Sequence, residues 1–125
     1  MLSFGRPRAV WLGVEPVDGR KGFDGLYGVV KEGLGHDPLA GSVFVFTNRR
    51  RNRLRLIFFD GTGLVLCAKR LERGGFRWPV MAGEKSVEIS AAQLGLLLSG
   101  LEPTARVRPG WWRGMAPAVC KPRIQ

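Results

Sequence analysis

The sequence predicts a single α+β domain: a mainly antiparallel sheet with a basic-tipped hairpin and two helices packed on one face. Three observations carry this. Apolar runs at 42–47, 54–59 and 64–69 are separated by an arginine-rich loop and by the turn signal Asp60-Gly61-Thr62-Gly63. Two other stretches place apolar residues at helical spacing. A chain of 125 residues with 45% hydrophobic content suits one core. The domain is expected over 1–102, with a basic, flexible tail at 103–125.

Residues 9–14 (Ala-Val-Trp-Leu-Gly-Val) read as a first strand buried on both faces and closed by Pro16. Asp18 is the expected N-cap of the first helix, whose apolar stripe is Phe23, Leu26, Tyr27, Val30 and Leu34. Gly22, Gly25 and Gly28 weaken its propensity, so tertiary packing must hold it, and Gly33, Gly35 and Pro38 end it. The three apolar runs then form an antiparallel meander. Gly74-Gly75 breaks the chain before Phe76 and Trp78, and a short strand is expected at 86–89. Ser90 and Gln93 match a capping box for the second helix, with Leu94, Leu97, Leu98 and Leu101 as its stripe and Gly100 and Pro103 as its stop.

The charge balance points to a class of partner. Twenty Lys and Arg against ten Asp and Glu leave a net charge of +10. Self-repulsion of that size is offset by a polyanionic partner: nucleic acid, an anionic membrane surface or an acidic protein. No apolar run approaches the roughly 20 residues of a membrane span, and the N-terminus has no signal-peptide pattern, so a cytoplasmic protein with no membrane partner is expected. Cys67 and Cys120 are far apart and cannot form a zinc site with the single His36, so neither a metal nor a disulfide framework is expected.

The sharpest candidate site is the loop between the first two meander strands. Arg49, Arg50 and Arg51 stand between Asn48 and Asn52, and Arg53 and Arg55 continue onto the next strand on the face opposite Leu54, Leu56 and Phe58. A ribbon with a cationic tip can enter a DNA groove or grip its backbone. The plain alternative is a solvated turn; the excess charge of the whole chain favours nucleic-acid contact. Lys69, Arg70, Arg73 and Arg77 extend the patch. Phe76 and Trp78 among these cations could stack on bases, but core roles fit them better. Arg20 and Lys21 fall in the first turn of the expected helix, where the macrodipole disfavours cations. They form either an anion site or ion pairs with Asp18 and Asp24. The carboxylates have cap, turn or surface explanations, and no nucleophile pairs with His36, so no catalytic residue, cofactor or small-molecule substrate is expected.

Four blocks in order resemble one known family: Pro16-Val17-Asp18-Gly19-Arg20-Lys21-Gly22-Phe23-Asp24-Gly25-Leu26, then Val43-Phe44-Val45-Phe46-Thr47-Asn48-Arg49-Arg50, then Phe59-Asp60-Gly61-Thr62-Gly63, then Lys69-Arg70-Leu71-Glu72-Arg73-Gly74-Gly75-Phe76-Arg77-Trp78-Pro79. They are similar to the TnpB accessory proteins encoded in the second open reading frame of insertion-sequence-66 elements. Gly19, Thr47 and the Thr62-Gly63 turn depart from that pattern, and the region after Glu102 matches none of it. The much larger RNA-guided nucleases that share the name are unrelated in their motifs. The resemblance implies a non-enzymatic protein required for transposition beside a separate transposase that performs the strand chemistry. The expected role is therefore an accessory factor that binds DNA, at the element ends, through the basic hairpin. The alternative is an interaction module that docks on the transposase without touching DNA.

Overall fold

The computed structural model of the protein describes residues 8–78, 83–99 and 119–122. Six strands form one sheet in the order β5-β1-β2-β3-β4-β6. They are β1 (Val10–Gly13), β2 (Val43–Thr47), β3 (Arg53–Phe59), β4 (Leu64–Arg70), β5 (Ser86–Ile89) and β6 (Val119–Pro122). Only the β1–β2 pair is parallel, with Val10 opposite Val43; the other four are antiparallel. A parallel pair needs a crossover between its strands, and the first helix, α1 (Phe23–Gly28), lies in that connection.

The sheet is covered on both sides. Val10, Leu12, Val43, Val45, Leu54, Leu56, Phe58 and Val65 pack on one face with Phe76, Trp78 and Leu94 and Leu97 of the second helix, α2 (Ala91–Leu98). Phe44, Phe46, Ile57 and Leu64 pack on the other with Val17, Leu26 and Val30. The α+β class holds, but the two helices, expected on one face, occupy opposite faces. The reason lies in β2. Its five residues are all buried, so each face of that strand presents apolar side chains that water must not reach.

α1 is short. Gly22 is its N-cap and makes no side-chain cap bond, and after six residues the helix widens into a π-helical stretch, Val29–Gly33. There Leu34 N–H donates to the Val29 carbonyl at 2.8 Å. Asp18, expected to cap this helix, instead caps its own turn. Its Oδ1 accepts the Arg20 N–H at 2.9 Å, an Asx turn that uses up the carboxylate four residues before the N-cap. α2 matches expectation at its start: Ser90 Oγ accepts Gln93 N–H at 3.1 Å and Gln93 Oε1 accepts Ser90 N–H at 2.8 Å. Its expected stop at Gly100 and Pro103 lies outside the described residues.

The β3–β4 turn is held by Asp60, whose Oδ1 accepts the N–H groups of Thr62 and Gly63, each at 2.9 Å, while Gly61 takes a φ of 103°. Those bonds hold the Asp60 carboxyl below its ordinary value. At the far edge, β6 pairs with β4 and sets Cys120 opposite Cys67. Cys67 is disulfide-bonded, contrary to the expectation of no disulfide. The two positions are 53 apart in sequence and become neighbours only through a strand pairing that no local pattern announces. The rest of the expected tail, 103–118 and 123–125, lies outside the described residues.

Trp78 seals the junction of strand and loop. Its indole N–H donates to the Gly13 carbonyl at 2.8 Å, which satisfies a buried donor and joins residues 65 apart. Gly13 also has no room for a side chain: a Cβ there would sit 2.6 Å from the Phe46 ring, which is itself fully buried. Gly13→Ala should destabilise the fold by about 1–3 kcal/mol in urea denaturation, the usual cost of overpacking. Adding Phe46→Leu should recover part of that loss.

Candidate nucleic-acid interface

The loop from Asn48 to Arg53 is a built structure. Asn48 Oδ1 accepts the backbone N–H groups of Asn52 and Arg53, each at 3.1 Å, and its Nδ2 donates to Asn52 Oδ1 at 2.7 Å. Arg51 N–H donates to the Asn48 carbonyl at 3.0 Å, and Arg51 takes a φ of 57°. This left-handed conformation costs a non-glycine residue roughly 1–2 kcal/mol. Segment 71–76 packs beneath the loop: Leu71 N–H donates to the Asn52 carbonyl, and Phe76 N–H to the Arg51 carbonyl. The loop is thus tied from within and from below, while Arg49, Arg50, Arg51 and Arg53 are all exposed.

Arg55 has a different fate. It is 9% exposed, and its guanidinium donates to the backbone carbonyls of Lys21 and Asp18, the latter at 2.8 Å. Burial pushes it below its ordinary value; nearby Asp18 opposes the shift and the charge of Arg53 adds to it. Expected as a DNA contact, Arg55 is instead a positioning residue. Its partners stand 34 and 37 positions away, so no reading of β3 alone could assign them. What Arg55 positions is the turn carrying Arg20 and Lys21, which it ties to the strand carrying Arg53. Val17 N–H, donating to the Thr47 carbonyl at 2.8 Å, fixes the other end of that turn. A shallow groove lined by Pro16, Val17, Asp18, Gly19, Asn48, Arg49 and Arg50 separates the turn from the arginine loop.

Of the two readings of Arg20, the ion pair is the one observed. Its Nη2 lies 2.9 Å from Asp18 Oδ2, with the Arg20 side chain 91% exposed. The Arg20 side-chain hydrogen bond is the main reason the Asp18 carboxyl falls from 3.8 to about 2, helped by the Arg20 backbone N–H and by the charges of Arg20 and Lys21. Lys21 is exposed on the same turn.

On β4 the expected cations part company. Arg70 stands directly opposite Arg53, and Lys69 opposite Leu54. Alternation therefore puts Arg53 and Arg70 on one face and Lys69 on the other, where its Nζ donates to the Leu98 carbonyl at 2.6 Å. Lys69 caps the end of α2, a favourable place for a cation, and is only partly exposed. Arg70 Nη2 lies 3.2 Å from Glu72 Oε1 in an exposed pair. Arg73 is exposed in the segment beneath the loop, and Arg77 is exposed between buried Phe76 and Trp78, whose core roles are as expected. The structure thus gathers Arg49, Arg50, Arg51, Arg53 and Arg70 at one end of the sheet and withdraws Arg55 and Lys69. By sequence, Glu72 has no role at this end and Gly75 is only part of a chain break. A Cβ on Gly75 would come within 3.1 Å of the Arg51 carbonyl, a contact visible only in the fold.

Among the described residues there is no group of three or more His, Cys, Asp or Glu placed to hold a metal ion, and no helix long and apolar enough to cross a membrane. His36 stacks on Trp11 with ring centroids 4.3 Å apart and shares a 3.2 Å hydrogen bond with Ser86 Oγ, a packing role between α1's connection and β5.

Arg55→Met should cost about 1–3 kcal/mol, because two part-buried carbonyls of the turn lose their donor; urea denaturation reads this directly. For Asp18 the folded value is depressed. Its pairing is therefore complete above pH 3.8 and is lost as pH falls through about 2. A carboxyl titration by NMR should find that low midpoint, and Arg20→Ala should return it toward 3.8.

Comparison with known proteins fits this architecture to a family. The sequence profile described as "IS66 Orf2 like protein" matches residues 8–108, which hold β1 to β5, both helices and the arginine loop but not β6. The chain is 43% identical over 102 residues to the uncharacterized protein y4hO of Sinorhizobium fredii (strain NBRC 101917 / NGR234), covering 82% of this chain and 88% of the relative. It is 36% identical over 104 residues to the uncharacterized protein y4jC of the same organism, covering 83% and 88%. No solved structure matches. The chain belongs to the IS66 Orf2-like (TnpB) family, the accessory proteins of insertion-sequence-66 transposition.

Proposed function

We propose that the protein grips DNA through the cationic end of its sheet and so assists the element's separate transposase at the element ends. One observation carries the reading. Arg49, Arg50, Arg51 and Arg53 project from a loop whose backbone is fixed by Asn48 and by segment 71–76, although one of them sits in an unfavourable left-handed conformation. A loop selected for stability alone would place Gly or Asn at position 51. Arg there, in a rigid frame, supplies preorganised cations for phosphate.

The contacts are of the phosphate kind. They position the protein on a duplex, and base recognition needs further groups. Arg20, Lys21 and Arg73 border the same end and extend the cationic surface, with Arg20 partly neutralised by Asp18. Arg55 supports this surface from within.

Binding to a duplex carrying the element end and to a scrambled duplex, measured across a salt series, tests the reading. Affinity should fall steeply with salt, with a log–log slope of about 0.9 per phosphate contacted. Arg49→Glu/Arg50→Glu/Arg51→Glu should abolish binding while the protein stays folded, since all three side chains are exposed. Retained binding by that variant would remove the loop as the contact. Absence of wild-type binding at low salt would favour docking on the transposase instead. Arg51→Gly should weaken binding without lowering thermal stability, because glycine adopts the left-handed conformation freely.

A further inference from the structure

Resting on the DNA-binding reading, we propose that Arg53 and Arg70 form a single seat for one backbone phosphodiester, and that Glu72 occupies half of it until DNA arrives. The two arginines are Cα partners at the last rung of the β3–β4 ladder. Directly opposite residues on one face have Cβ atoms about 4.5–5.5 Å apart, so the two guanidinium groups are within reach of one ligand above that rung. Like charges so placed are destabilising, and nothing in the ladder requires them: the next rung on the same face pairs Arg55 with Ala68. A singly charged phosphate between two planar forks turns that repulsion into two charge-assisted, potentially bidentate contacts.

Three features make the seat specific. Asn48 Oδ1 accepts the Arg53 N–H, which fixes the backbone from which one fork projects. Leu71 N–H, bonded to the Asn52 carbonyl, extends the strand pairing just beyond Arg70 and fixes the other. Finally, Glu72 Oε1 accepts from Arg70 Nη2 at 3.2 Å and Nε at 3.4 Å, engaging the edge of the guanidinium that a phosphate would use. Both members of that pair are mostly solvent-exposed, 59% and 79%, so the carboxylate is weakly held and displaceable. Arg53 has no such carboxylate among the hydrogen bonds of the described residues, and its side chain is exposed.

Affinity for one short blunt-ended duplex, measured across a salt series, tests the seat with Arg53→Ala, Arg70→Ala, the double variant and Glu72→Gln. A shared phosphate predicts that the double variant lowers the log–log salt slope by about 0.9 in all, and each single variant by no more than that. Glu72→Gln should tighten binding about two- to fivefold, the worth of the exposed ion pair it removes. Arg53→Lys/Arg70→Lys should keep the slope and lose affinity, because charge remains and the fork geometry does not. Thermal unfolding of the alanine variants should show little loss of stability, since each removes a like-charge contact and the Arg70–Glu72 pair that goes with Arg70 is exposed. A double variant whose slope falls by about 1.8 would mean two separate phosphates and would overturn the seat, as would unchanged or weaker binding by Glu72→Gln. Wild-type protein that binds no duplex at low salt would overturn the DNA-binding reading itself, and the seat with it.

Discussion

β2 is the strand on which the molecule depends, because it has no solvent face. Phe44 and Phe46 point to one side and Val43 and Val45 to the other, and each is at most 1% exposed. Both sides must therefore be roofed. α1 and its π-helical continuation roof one, and α2 with Phe76 and Trp78 roofs the other. The parallel β1–β2 pair follows from this, since the crossover that carries α1 over the sheet also brings the chain back in the same direction. Gly13 belongs to the same constraint. Its missing side chain admits the Phe46 ring, and its carbonyl receives the Trp78 indole from the opposite layer.

With both faces closed, the exposed arginines of the loop and of the β3 and β4 ends gather at one end of the sheet. The arginine loop joins β2 to β3, segment 71–76 leaves β4 beneath it, and the Asp18–Lys21 turn approaches from α1. Arg55 links two of these pieces with one buried guanidinium, a costly group to desolvate but one whose donors find fixed carbonyls. The outcome is a division of labour among residues of one type. Exposed arginines present charge, and Arg55 holds their framework in register.

Membership of the IS66 Orf2-like family gives this surface its biological setting, an accessory protein of transposition. The described residues hold no metal-ligating group of three or more side chains, and what they concentrate instead is rigid positive charge. That concentration of charge is the feature on which the proposed grip on DNA rests.

Much was legible in the sequence because it is written locally. Apolar runs placed β2, β3 and β4 to within a residue at each end, Asp60-Gly61 marked the hairpin turn, and Ser90 with Gln93 marked the start of α2, since each depends on neighbours a few positions away. The excess of arginine, its clustering at 49–53 and the family blocks are likewise properties of the chain alone. The tertiary structure decided what each side chain meets. It put the helices on opposite faces, although the unbroken apolar run of β2 already hinted that both sides needed cover. It took Asp18 away from the helix, buried Arg55, turned Lys69 toward the end of α2, paired Arg53 with Arg70, and added β6 with its cysteine beside Cys67. Burial and pairing are set by partners tens of residues distant, and a strand's own pattern says which side a residue faces but not what waits there.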